Sequence, residues 1–539
     1  MRHAQAPLLF NVHRARALAG LLLVMFASGA SAQDAPAVPS IEVDTVAGRL
    51  RGLQSEGVAA FRGIHYGEDT RPRRFQPALP EPAWTGVREA LAHAPRCPQV
   101  LNGDGEADLS EMSEDCLSLN VWTPSIGAGA QRPVLVYFHG GGYANGSVNE
   151  PVYDGARLSR RGDVVVVTVN HRLNGFGYLY LGVQDPARYA DSGNVGQLDL
   201  LLALQWVRDN IAAFGGDPGN ITVFGQSGGG AKIATLMAMP AARGLFHRAW
   251  TMSGQQITGR IRANAVATAR EVLQRLGAAT GSAEDPLAVL QSASMLELMQ
   301  AMRGGTWTPV VDGRSLPRDP LTPDAPPQSA ALPMVLGNTH DETTSLIGRA
   351  EPGLFELDWD GVPVALQRHV APFIGELDPA GIVNRYRRWY PDYTPAQVFF
   401  SATTAARSWK GMVIASERRA EQGAPTWIYY LHWRSPLDGG RYGAPHTLDI
   451  PLVFDNIAAD DWTRDGGAPA QALADAMSTA LIAFARSGDP NDAGLPTWPK
   501  FEVPARPALI FDSTLRVVED DRGRERRLFA KVPYVQPGT

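Results

Sequence analysis

Short runs of β-branched and aromatic residues alternate with helical patterns along most of this 539-residue chain, and that alternation restricts the fold more than any other feature. Val134–Phe138 reads as a strand buried on both faces. A helical pattern near Tyr153–Arg161 leads to a second such run, Val164–Asn170. A longer helical pattern, Gln197–Phe214, sets Leu198, Leu201, Leu202, Trp206 and Ile211 on one apolar face. Further strands are expected at Ile221–Phe224, Ala249–Ser253, Pro333–Gly337, Thr426–His432 and Ala508–Phe511, mostly with helical patterns between them. Near the start, Ile41–Val46 and Ala59–Tyr66 read as hairpin strands. Buried runs separated by helices predict an α/β fold with a central, mostly parallel sheet flanked by helices. Segments 256–330 and 345–425 are poor in strand signal and read as helical insertions. The composition, 44% hydrophobic and 19% charged, excludes a disordered chain or a coiled coil.

The first 32 residues read as an address. Arg2, Arg14 and Arg16 precede an apolar run from Ala17 to Ala27, and no acidic residue occurs before Asp34. Ala30-Ser31-Ala32 then gives the small-x-small pattern of signal-peptidase cleavage. The run is too short to span a bilayer. The expectation is a signal peptide over 1–32, cleavage near Ala32, and a single domain over 33–539 exported to the periplasm or the medium without a membrane anchor. The net charge of −6 argues against nucleic acid or an anionic membrane as partner. In an oxidising compartment Cys97 and Cys116, the only two cysteines, most simply pair. Closing that loop stabilises by about 3 kcal/mol on the chain-entropy model.

Two glycine turns carry the chemistry. Gly225-Gln226-Ser227-Gly228-Gly229 follows the strand Ile221–Phe224 and precedes a helical run, Ala231–Met239. A tight strand-to-helix turn exposes the serine hydroxyl, and the helix start aims backbone N–H groups at a developing anion. His139-Gly140-Gly141-Gly142-Tyr143 follows the strand Val134–Phe138. Consecutive glycines let backbone N–H groups face a substrate oxygen unobstructed, as an oxyanion hole requires. A serine nucleophile needs a base, and the base needs an orienting carboxylate. Among eleven histidines, His446 in the turn-like Gly443-Ala444-Pro445-His446 is the candidate, while His139 reads as a packing residue. Asp341 and Glu342 both satisfy the expected order of serine, acid, histidine, and the residues alone leave that choice open. No metal-ligand spacing is evident, and the chemistry calls for no cofactor.

The sequence resembles the type-B carboxylesterases, the carboxylesterase/cholinesterase family of α/β-hydrolases, in a bacterial-type secreted form. The likeness rests on Phe61–Ile64, Glu114–Val121, the His139–Tyr143 loop, Thr168–Leu173, Asn210–Phe224 running into the serine turn, Pro309–Gly313, Gly337–Glu342, Gly443–Phe454, Phe484–Asn491 and Trp498–Phe501. It implies an α/β-hydrolase fold with helical insertions around the active-site mouth. It also implies Ser227 as nucleophile, Glu342 as acid, His446 as base, the N–H groups of Gly141, Gly142 and Gly228 as oxyanion donors, and a Cys97–Cys116 disulfide. The implied activity is hydrolysis of a small-molecule carboxylic ester. A lipase is the alternative, and a non-catalytic binding or adhesion protein of the same fold is the more distant one.

The sequence departs from the family pattern at three places. Gln226 and Gly228 stand where glutamate and alanine are usual around the serine, and Thr343 where glycine usually follows the acid. The loop Pro98–Asp115 holds six acidic residues (Asp104, Glu106, Asp108, Glu111, Glu114 and Asp115) and no aromatic. Those acids read as a solvated rim. The surroundings of Ser227 are expected to be uncharged apart from the His446–Glu342 pair, which argues against a choline-ester enzyme.

Overall fold

A computed structural model describes residues 39–99, 109–280 and 285–537. Its strands are β1 (Ser40–Asp44), β2 (Arg49–Ser55), β3 (Val58–His65), β4 (Val87–Glu89), β5 (Ser118–Thr123), β6 (Arg132–Phe138), β7 (Val165–Val169), β8 (Gly216–Gln226), β9 (Arg248–Met252), β10 (Met334–Thr339), β11 (Thr426–Leu431), β12 (Pro507–Phe511) and β13 (Arg516–Glu519). They form one 13-stranded sheet in the order β1-β2-β3-β5-β7-β6-β8-β9-β10-β11-β12-β13, with β4 beside β2. From β7 to β12 every pairing is parallel, and the outer pairings in the main order are antiparallel. From Pro39 onward the chain is one compact unit.

Alternation along the strands explains why both faces are covered. On β6, Val134, Val136 and Phe138 face one core, while Leu135 and Tyr137 face the other. On β7 the same division puts Val165, Val167 and Val169 on the first side and Val166 on the second. The first core is closed by the helices Val195–Asn210 and Gly228–Ala238, through residues such as Leu200, Leu204, Ile233 and Leu236. The second is closed by Gly467–Ser487, through Leu473, Met477, Leu481 and Phe484. Strands buried on both faces read as continuous apolar runs, which is why these were visible in the sequence.

The expected elements are present, with boundary changes, and the strands β2, β4, β5 and β13 are additional to them. β5 was not foreseen. Its polar Ser118 and Asn120 make it resemble a loop, yet both are buried, and Asn120 donates to Thr168 Oγ1 (3.0 Å) and accepts from Gly63 N–H (2.9 Å). The helix expected to reach Phe214 ends at Asn210, and β8 starts at Gly216, earlier than Ile221. The two insertions are helical: Arg262–Thr280, Pro286–Ser292 and Met295–Ala301 in the first, and Gly361–Ile374, Pro379–Trp389, Pro395–Thr403 and Lys410–Glu421 in the second. Cys97 and Cys116 are joined in a disulfide.

The solvated-rim expectation fails at Glu114, while Glu111 is exposed and Asp115 half-buried. Glu114 is buried and pairs with buried Arg74 (2.5 Å), whose guanidinium also donates to the carbonyls of Leu290, Gln291 and Ala293. This ties the disulfide segment to the first insertion. Asp115 meets His65 (3.1 Å) and Glu111 faces Arg96 (3.6 Å). Asp104, Glu106 and Asp108 lie outside the described residues, as does the stretch 1–32 read as a signal peptide. Among the described residues, no helix is long and apolar enough to cross a membrane.

Candidate active site

β8 ends at Gln226 and the next helix begins at Gly228, which leaves Ser227 alone at the corner with φ 54° and ψ −123°. A side chain held at positive φ costs on the order of 1–3 kcal/mol, so the surroundings must impose it. The Ser227 N–H donates to the Met252 carbonyl at the end of β9 (2.7 Å), and its own carbonyl accepts from Ala231 N–H (3.0 Å). The turn also packs backbone against backbone. A Cβ added to Gly228 would land on the carbonyl oxygen of Gly142, and one on Gly229 would land on that of Phe138. Glycine at 228, where the family usually has alanine, therefore lets the loop after β6 close onto the serine turn.

That loop emerges beside the serine because Phe138 on β6 pairs with Gly225 on β8. Gly141 and Gly142 take φ values of 82° and 63°. Their N–H groups, and that of Gly228, have no acceptor among the described residues. Below the loop, His139 is buried and stacks on His171, with ring centroids 4.9 Å apart. Burial, reinforced by the Lys232 charge, holds both imidazoles well below their usual range. Lys232 is itself fully buried, and its Nζ donates to the His139 carbonyl (2.9 Å). Burial brings its amine down to about 7. The sequence reading passed over Lys232, although a lone lysine in a helix of small and apolar residues was a signal.

Glu342 opens a short helix, Glu342–Leu346, just past β10. Its Oε1 accepts from Ser253 Oγ (2.5 Å), Asn338 Nδ2 (2.9 Å) and Thr339 N–H (3.0 Å), and its Oε2 meets Nδ1 of His446 in a very short contact. Burial alone would raise this carboxyl. The charge of His446 and these hydrogen bonds outweigh it and hold the group below its usual range. Asp341 turns elsewhere: it meets His340 Nδ1 (2.9 Å) and accepts from Ala444 N–H (2.9 Å). Of the two adjacent acids, Glu342 is the one in contact with the imidazole. Asp449, one turn beyond His446, is pushed up to about 7 by burial, with Glu342 adding to the shift.

Ser227 and His446 line one cavity of about 480 Å³, together with Gly142, Gly228 and walls from both insertions. In this conformation no hydrogen bond joins the Ser227 hydroxyl to the imidazole. Gln226 lies there instead, its Nε2 3.2 Å from His446 Nε2 and 3.4 Å from Nδ1. Catalytic hydrogen bonds are often loose before substrate arrives. The expectation of an uncharged surround fails at one position: Arg407 lines the cavity. Trp307 and Tyr143, aromatics from outside the disulfide loop, line it too. Among the described residues, no group of three or more His, Cys, Asp or Glu is placed to hold a metal ion.

A parallel-centred sheet of this order, with a serine at the β8 corner and a buried carboxylate–imidazole pair after β10 and β11, has the architecture of an α/β-hydrolase. Comparisons with known proteins narrow the class. The carboxylesterase family model matches residues 39–527. Para-nitrobenzyl esterase of Bacillus subtilis is 33% identical over 500 residues, covering 90% of this chain and 97% of that protein. Phenmedipham hydrolase of Pseudarthrobacter oxydans is 33% identical over 522 residues, covering 92% and 98%. Among solved structures, a carboxylesterase of Geobacillus stearothermophilus superposes with a TM-score of 0.78 at 36% identity, over 90% of this chain and 99% of that one. The chain belongs to the carboxylesterase family, and it is a carboxylic-ester hydrolase.

Proposed function

We propose that the protein hydrolyses small neutral carboxylic esters through an acyl-enzyme on Ser227, with His446 as base and Glu342 as the acid that orients it. The observation that carries this reading is the convergence of Ser227, His446 and the glycine loop on one cavity, with Glu342 buried behind the imidazole. Ser227 Oγ attacks the ester carbonyl while His446 Nε2 takes its proton. The tetrahedral oxyanion accepts hydrogen bonds from the N–H groups of Gly141, Gly142 and Gly228. His446 returns the proton to the departing alcohol oxygen. A water molecule then attacks the acyl-enzyme by the same route, releasing the acid and regenerating Ser227. Glu342 fixes the tautomer that leaves Nε2 free to accept, and stabilises the imidazolium. For Nε2 to face the serine, the Gln226 amide must move aside.

Relatives named for para-nitrobenzyl esters and for phenmedipham support a small organic substrate. The signal-like pattern at 1–32 supports export of a single domain over 33–539 and the placing of the Cys97–Cys116 bond in an oxidising compartment. Organophosphate labelling followed by peptide mapping tests the nucleophile: the adduct is expected on Ser227, and Ser227→Ala is expected to abolish ester hydrolysis while remaining folded. Activity within a few-fold of wild type in that variant overturns the assignment. Amino-terminal sequencing of protein recovered outside the cytoplasm is expected to begin just after Ala32.

A further inference from the structure

The cavity lining is not neutral. Arg407 lies on the π-helical turn Thr404–Trp409, between the helices Pro395–Thr403 and Lys410–Glu421 of the second insertion. Its immediate predecessors Thr403, Thr404, Ala405 and Ala406 are all buried, so the guanidinium sits at the margin of a packed layer. It makes no ion pair among the described residues, and its one side-chain hydrogen bond is to Ser408 Oγ (3.3 Å). Burial presses on this cation, and Glu342 is the carboxylate that acts on it. That carboxylate is already engaged by His446, Ser253, Asn338 and Thr339. The other titratable groups on the cavity are His446, Tyr143 and Tyr534, none of which supplies a free negative charge at neutral pH.

Gln255 is 9% exposed and lines the cavity, and its Nε2 is buried with no acceptor. Gly411, one turn after Arg407, would bring a Cβ to 3.6 Å from Gln255 Cβ and 3.1 Å from the Tyr534 hydroxyl. A desolvated cation and an orphaned amide donor, both costly to leave unanswered, together describe a place for an anion.

We propose that Arg407 and Gln255 form a carboxylate-binding subsite, and that the preferred substrates are half-esters, in which a free carboxylate sits at the far end of the acid from the bond cleaved. The inference rests on the esterase reading of Ser227. Neutral esters remain substrates, but they leave the guanidinium without its partner. The same charge acts against a cationic alcohol group.

The test uses matched pairs of 4-nitrophenyl esters with one leaving group: mono-4-nitrophenyl adipate and suberate, each against its methyl-capped neutral counterpart. With spontaneous hydrolysis subtracted, kcat/KM for the anionic ester is expected to exceed that of the neutral one by about tenfold for at least one chain length, as a charge-assisted contact implies. Arg407→Gln is expected to lower the anionic-to-neutral ratio by about tenfold, and Arg407→Lys to retain part of it. Gln255→Leu is expected to lower the ratio as well. A wild-type ratio at or below one for both lengths overturns the subsite, as does a ratio unchanged in Arg407→Gln, which would mean that the guanidinium only braces the helix. Cleavage of neither ester by the wild type is a different result: it removes the esterase reading and this inference with it.

Discussion

The amide nitrogen of Gln226 lies 3.2 Å from Nε2 of His446, the atom that must receive the proton of Ser227. Most of the family has a glutamate at this position. Here the neighbour is neutral, and the carboxylate that meets the ring is that of Glu342.

Gln226→Glu restores that charge. A nearby carboxylate favours imidazolium, so the acid limb of the kcat/KM profile is expected to move to higher pH by about half to one unit. Stopped assays across pH 5–9 measure it. A profile that does not move means that the side chain at 226 is too well screened to act on the base.

Glu342→Gln and Asp341→Asn separate the two adjacent acids. The first removes the group that holds the His446 tautomer and is expected to lower kcat by about 10³–10⁴. The second breaks contacts to His340 and Ala444 that do not reach the imidazole, and is expected to cost less than about tenfold. The reverse ranking would make Asp341 the acid.

Lys232 has a pH signature of its own. Its folded-state amine titrates at about 7, against 10.5 for an ordinary lysine. Between those values the unfolded chain holds a proton that the folded chain does not, so this group's contribution to stability rises with pH and is least at and below about 7. Lys232→Met is therefore expected to raise Tm, by more at pH 7 than at pH 10. A gain that does not depend on pH would assign the effect to packing alone.

Choline esters are expected to be poor substrates. Butyrylcholine compared with 3,3-dimethylbutyl butyrate keeps size and acyl group constant and changes only the charge. The neutral ester is expected to have the higher kcat/KM. Preference for choline would mean that Trp307 or Tyr143 supplies a cation–π face strong enough to outweigh Arg407.

What could be read from the sequence follows physical lines. Strands β6 to β8 announce themselves because burial on both faces demands unbroken apolar runs, and the two glycine turns stand out as glycine clusters directly after strands, where backbone packs closely on backbone at Gly228 and Gly229. Glu342 could not be told from Asp341 by residue type. The start of the helix at Glu342 aims one carboxylate at His446 and turns its neighbour toward His340, and that depends on a single backbone step. β5 was hidden by its buried polar residues. Arg407 and Gln255 were missed for a different reason. Arg407 belongs to the second insertion and Gln255 directly precedes the first, and they reach one cavity only when the chain is folded, although an arginine directly after four small residues was a visible anomaly.

The closeness of Gly228 to Gly142 and of Gly229 to Phe138 bears on how such an enzyme can be altered. These contacts are between main-chain atoms, so no neighbouring side chain can be trimmed to make room for a larger residue. A library that places large residues at 228 or 229 would spend most of its members on a disrupted serine turn. Trp307, Thr308, Arg407 and Ser408 line the same cavity from the insertions. Their side chains can be exchanged without touching that main-chain clasp. Selectivity can therefore drift at those positions, in the laboratory or in nature, while the reacting geometry is inherited unchanged.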